Sequence, residues 1–118
     1  MTNKIYYLST CSTCQRIMKE LGIDENFEQQ DIKIENISEP DLEMFAKQAG
    51  SYEALFSKRA MKYKSMGLKE KNLSEDDYKQ LMLDEYTFLK RPFILIDGEA
   101  FIGNSKKTVE AAKAKLGL

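Results

Sequence analysis

Cys11 and Cys14 are the two cysteines of the sequence, and they stand in Cys11-Ser12-Thr13-Cys14 directly after the strand-like run Lys4-Ile5-Tyr6-Tyr7-Leu8. A cysteine attacks a disulfide or an oxidised centre as its thiolate. Free backbone N–H groups at the start of a helix lower a thiol pKa from about 8.5 into a range of roughly 3.5–7.5. Cys11 is spaced for that position. Cys14, one turn deeper, falls on the apolar stripe Cys14, Ile17, Met18, Leu21, so it should hold its proton longer. The pair therefore reads as nucleophile and resolver, with Cys14 attacking the mixed disulfide or sulfenic acid formed on Cys11. The alternative from the same residues is two buried thiols acting as small hydrophobes.

What is missing narrows the chemistry further. The chain has no histidine, which removes Cys-His and Ser-His-Asp catalysis, and two cysteines alone cannot complete a tetrahedral zinc site. No metal and no bound organic cofactor is expected. Eighteen Lys+Arg against 19 Asp+Glu give a formal charge of −1, so the positive field that nucleic acid requires is absent and no direct nucleic-acid contact is expected. No apolar run approaches the roughly 20 residues that a bilayer needs, so no membrane partner is expected either. The first residues run straight into the strand without a charged leader or a cleavage site. Export is therefore not expected, and the cytoplasm is the expected location.

The elements that must position the cysteines follow from periodicity. A strand at about 4–8, a helix from just after Cys11 to a stop at Gly22, and a strand from Phe27 to Ile34 make a β-α-β unit with parallel strands. Ser38 caps a helix with Pro40 in its first turn, and Leu42, Phe45, Ala46 and Ala49 form its inward stripe before Gly50. A short helix over Tyr52 to Phe56 leads into the basic stretch Lys58 to Lys64. Ser74 then caps a helix carrying Tyr78, Leu81, Met82 and Tyr86. Phe93-Ile94-Leu95-Ile96, Asp97-Gly98 and Ala100-Phe101-Ile102 spell an antiparallel hairpin, and Ser105 opens a last helix with Val109, Ala112 and Leu116 inward.

With 118 residues the chain has room for one core and reads as a single domain over 1–118. The fold class is α/β: a thioredoxin-like four-stranded mixed sheet in the order β-α-β … β-β-α, with an inserted helical subdomain at about 38–89. On that architecture Pro92 enters the hairpin where a missing N–H is tolerated. A cis Arg91-Pro92 bond is expected there, turning the backbone toward the cysteine loop.

Three stretches together resemble the ArsC/Spx family through nearly the whole chain. They are Cys11-Ser12-Thr13-Cys14 after the first strand; Leu55-Phe56-Ser57-Lys58-Arg59 with Tyr63 and Gly67-Leu68; and Lys90-Arg91-Pro92-Phe93 leading to Ile102-Gly103-Asn104. That family holds glutaredoxin-dependent arsenate reductases and redox-sensing transcriptional regulators that bind the RNA polymerase α subunit. The resemblance implies that Cys11 is the catalytic cysteine and that Arg91 helps bind an oxyanion beside it. Arg59 is the second candidate for that anion, and Pro92 belongs to the same substrate-binding set. Either guanidinium can offer a planar fork to an oxyanion or a glutathione carboxylate while lowering the thiol pKa; the competing reading is a solvated basic face.

Three departures from the arsenate reductases bear on the substrate. Tyr7 stands where they carry a histidine four residues before the cysteine. Ile102-Gly103-Asn104-Ser105 stands where they carry a third arginine, and Ser57 rather than Arg59 aligns with the arginine of the middle segment. A full triple-arginine arsenate cradle cannot be assembled. The expected activity is thus an arsenate reductase-like thiol oxidoreductase regenerated by an external thiol system, glutathione with glutaredoxin or thioredoxin. The alternatives are a redox-switched regulator that binds the polymerase α C-terminal domain and a relative that has kept the fold and lost both roles. The missing histidine and third arginine favour the regulator or an unrelated thiol activity, whereas the absence of the longer C-terminal tail that such regulators often carry favours a stand-alone enzyme.

Overall fold

The computed structural model describes residues 3–118. The chain divides into two compact units, one formed by the residues up to Glu35 together with Arg91–Leu118 and the other by Asn36–Lys90. Each is described by itself.

The first unit is a mixed four-stranded sheet. Strand β1 (Asn3–Tyr7) pairs in parallel with β2 (Phe27–Asp31), in a register running from Asn3 opposite Phe27 to Tyr7 opposite Asp31. On its other side β1 is antiparallel to β3 (Phe93–Ile96), which is antiparallel to β4 (Glu99–Ile102). The spatial order is β2-β1-β3-β4, with the parallel half and the antiparallel half that the sequence predicts. Asp97 and Gly98 join β3 to β4 with φ of 49° and 82°, the pair of left-handed residues that lets a two-residue hairpin turn follow the strand twist.

Helix α1 (Ser12–Glu20) supplies the parallel crossover, and α5 (Lys106–Leu116), capped by Ser105, closes the unit. Ile17 of α1, Leu21 at its C-terminal cap, and Val109 and Ala112 of α5 join Ile5, Phe27, Ile94, Ile96 and Phe101 in one buried cluster. Burying each of the larger side chains contributes roughly 1.5–3 kcal/mol. This packing fixes where α1 begins, and with it Cys11.

The second unit is helical. Helix α2 (Glu39–Ala49) starts at the Ser38 cap and ends at Gly50, whose φ of 98° suits glycine. Helices α3 (Met61–Ser65) and α4 (Glu75–Asp84) follow, the latter begun by a reciprocal capping box between Ser74 and Asp77. The centre of this unit is aromatic: the Phe56 ring stacks on Phe88 at 4.9 Å and meets Tyr78 edge-on at 4.9 Å and Tyr63 at 5.8 Å.

Four expectations need correction. The second strand ends at Asp31 instead of Ile34, because the N–H groups of Ile34 and Glu35 both bond the Asp31 carbonyl at 3.0 Å; the chain turns and leaves Ile34 85% exposed. Ala49 does not join the inward stripe of α2; it is exposed in the last turn, beyond buried Leu42, Phe45 and Ala46. The segment Tyr52 to Phe56 is a single 3₁₀ turn over Glu53–Leu55, since Phe56 leaves helical geometry to bridge Leu89. Tyr86 is not on α4: Glu85 is extended, its carboxylate accepts from the Thr87 N–H at 3.3 Å, and Tyr86 opens a separate 3₁₀ turn. Among the described residues, no helix is long and apolar enough to cross a membrane.

Candidate active site

Cys11 is the residue on which β1 hands over to α1. Its backbone is extended, with φ −94° and ψ 111°, which is the geometry of an N-cap. Its N–H donates to the Leu8 carbonyl at 3.0 Å, and its own carbonyl accepts the first helical bond from Gln15 at 3.2 Å. The side chain is half-buried. As a thiol it makes no capping hydrogen bond, yet the N–H groups of Thr13 and Cys14 lie at the helix start, where they stabilise charge on the sulfur.

The two sulfurs are driven in opposite directions. Partial burial pushes the Cys11 thiol up. That is outweighed by the Cys14 N–H, the Cys14 thiol, the positive charge of Arg91 and the Thr13 N–H, and the net result lies below the ordinary thiol value. Cys14 is wholly buried. Burial is the main cause that pushes its thiol up to about 11; negative charge and hydrogen bonding at Cys11 add to the rise, while a backbone bond to Leu8 and the charge of Arg91 oppose it. A thiolate on Cys11 is thus stabilised in part by a neighbour that stays protonated. One helix start holds both a nucleophile and a proton-holding partner.

Arg91 is half-buried and close enough to lower both sulfurs electrostatically. The Arg91–Pro92 peptide is cis, as the sequence leads one to expect. Pro92 is buried at the entry to β3, and its carbonyl accepts from the Gly103 N–H at 3.0 Å, which ties the start of the hairpin to its end. Cys11, Cys14, Arg91 and Pro92 therefore all belong to the sheet unit. Arg59 belongs to the helical unit, on an exposed turn before α3. Beside it Lys58 is paired with Glu53 at 2.7 Å, so part of the basic stretch is satisfied locally.

Two contributors escape a reading of residue types. Thr13 and Leu8 act on the sulfurs through their backbone groups, so any residue but proline at those positions would leave the same contribution in place. The signal was the helix start itself.

Comparisons with known proteins bear on the family and the fold. The ArsC family model matches residues 6–112. An uncharacterized protein from Haemophilus influenzae is 29% identical over 113 residues, covering 93% of this chain and 97% of that one. Among solved structures, an arsenate reductase from Vibrio cholerae superposes with a TM-score of 0.75 at 23% identity, over 95% of this chain and 98% of that one. An arsenate reductase (ArsC) related protein from Brucella melitensis gives 0.68 at 24% identity, over 94% and 93% of the two chains. At this level of identity the structures speak for a shared thioredoxin-like fold.

Proposed function

The chain belongs to the ArsC family, and on that premise we propose that it is a thiol-disulfide oxidoreductase that uses Cys11 as nucleophile and Cys14 as resolver. The Cys11 thiolate attacks one sulfur of a disulfide substrate, forms a mixed disulfide and expels the other sulfur as a thiolate. Cys14 then passes its proton to the expelled thiolate and attacks the Cys11 sulfur. The Cys11–Cys14 bond forms, the second substrate thiol leaves as its thiolate, and two electrons have passed from the dithiol to the substrate. An external dithiol or glutathione with glutaredoxin returns the pair to its reduced state, which places the cycle in a reducing compartment such as the cytoplasm.

Arg91 serves this cycle by steadying an anionic substrate, such as a glutathione carboxylate, beside Cys11, with Pro92 in the same proposed binding set; Arg59 is the second candidate cation that the sequence offers. Tyr7 and the Gly103-Asn104 pair, in place of the histidine and arginine of arsenate reductases, favour a glutathione mixed disulfide over arsenate. The observation that supports the reading most is the split between the two sulfurs, one lowered and half-buried, the other raised and enclosed.

The same two replacements leave a second reading, in which the disulfide is a switch governing binding to the polymerase α C-terminal domain. One experiment separates the two. Reduction of arsenate and of a glutathione mixed disulfide is measured for wild type, Cys11→Ser and Cys14→Ser, alongside capture of the α C-terminal domain by the oxidised and reduced chain. Mixed-disulfide turnover that Cys11→Ser abolishes supports the enzyme. Absence of turnover with oxidation-dependent capture replaces it with the switch.

A further inference from the structure

We infer that Asp31, at the end of β2, is a positioning residue for the nucleophile: with Gln15 it clamps Ser9 and so fixes the loop that presents Cys11. The inference deepens the proposed function and rests on it.

The loop between β1 and α1 is four residues long, Leu8 to Cys11, and Ser9 and Thr10 are exposed. A short exposed loop with a cysteine at its end is free to move unless something holds it. Ser9 is held from two sides. Its N–H donates to the Asp31 carboxylate at 3.3 Å across 22 residues of sequence. Its carbonyl accepts from the Gln15 side-chain amide at 3.1 Å, reaching back from α1. Leu8, next to it, takes the Cys11 N–H.

Asp31 is itself anchored. It sits opposite Tyr7 in the β1–β2 register, the following Ile32 N–H bonds the Tyr7 carbonyl at 2.9 Å, and the Asp31 carboxylate also accepts the Lys33 N–H at 3.1 Å. Partial burial raises the Asp31 carboxyl. The Ser9 hydroxyl, the N–H groups of Lys33 and Ser9 and the charge of Lys33 more than offset this, so it stays ionised at neutral pH. A negative charge near this loop cannot favour a thiolate on Cys11 by Coulomb attraction. Its service is geometric, keeping the Cys11 sulfur over the N–H groups of Thr13 and Cys14.

That distinction sets the test. The reduced full-length chain is pulsed with iodoacetamide across a range of pH, and Cys11 modification is followed at the peptide level for wild type, Asp31→Asn, Asp31→Ala and Gln15→Ala. Asp31→Asn keeps an acceptor oxygen for Ser9 and should hold the wild-type rate within about twofold, whereas Asp31→Ala should slow Cys11 about three- to tenfold at neutral pH and move its profile upward. A purely structural role would lower the melting temperature without moving that profile. Equal profiles for Asp31→Ala and wild type overturn the inference, as does a loss in Asp31→Asn as large as in Asp31→Ala. If Asp31→Ala fails to fold, Gln15→Ala decides: it removes the other hold on Ser9, a slowing of about two- to fivefold supports the clamp, and no change overturns it. A wild-type Cys11 that titrates as an ordinary thiol overturns both the clamp and the proposed function. A reactive wild type with indifferent variants removes the clamp alone.

Discussion

The gap between the two cysteines converts into a selectivity that alkylation can read. With its thiol pushed up to about 11, Cys14 is a thiolate in about one molecule in 10⁴ at neutral pH. An ordinary cysteine near 8.5 is about 3% ionised under the same conditions, so ionisation alone disfavours Cys14 by about 300-fold. The rarer thiolate is the stronger nucleophile, which at a Brønsted slope of 0.4–0.5 returns about 10- to 18-fold. The remainder is about 20- to 30-fold against an ordinary thiol. Cys11 lies on the favourable side of ordinary, and Cys14 has no exposed surface, so the observed ratio should exceed that figure. A short iodoacetamide pulse on the reduced chain, quenched and read peptide by peptide, gives the two rates. Rates within about threefold of each other would refute the assignment of distinct roles, because no combination of burial and ionisation described above leaves the two sulfurs alike.

Further outcomes follow from the same structure. Arg91→Gln removes a charge that favours the Cys11 thiolate and should slow Cys11 alkylation about two- to tenfold at neutral pH, with the difference shrinking as salt is added, since Arg91 is partly exposed. Reduced wild type should lose stability as pH rises: the folded state keeps Cys14 protonated to about 11, while the unfolded chain releases that proton near the ordinary value of about 8.5. The Cys14 contribution is therefore complete below about pH 8.5 and fades between about 8.5 and about 11, and urea unfolding of Cys14→Ala should lack that decline. Ile17→Ala empties a fully buried position between α1 and the sheet and should cost about 2–5 kcal/mol by denaturant unfolding. Ser74→Ala breaks the capping box at the start of α4 and should cost about 1 kcal/mol by thermal melting.

Local signals carried the elements that matter most to the site. The Cys14, Ile17, Leu21 spacing could only be satisfied by a helix that begins beside Cys11, and Asp97-Gly98 between two apolar runs left little choice but a hairpin. Where the reading failed, a contact distant in sequence or a side chain bonding its own backbone had intervened. Ile34 looked like a strand residue until the Asp31 carboxylate and carbonyl gathered the next N–H groups into a turn. Tyr86 kept the helical spacing of Tyr78 and Met82, but the Glu85 carboxylate offered the Thr87 N–H and hydroxyl a better partner than another helical turn. The clamp on Ser9 was invisible for a related reason: no local pattern ties position 9 to position 31, and only strand pairing brings them together. Lys58 shows the converse, since a basic stretch announces charge but not which cations are already paired, and this one is held by Glu53.

The division of labour between the sulfurs is tested most directly by intact-mass analysis after treatment with a single equivalent of glutathione disulfide. Cys14→Ser should accumulate one glutathione adduct located at Cys11, Cys11→Ser should remain unmodified, and wild type should pass through the adduct to a closed Cys11–Cys14 bond. Glutathione retained on Cys14, or an adduct on wild type that never closes, would contradict the account.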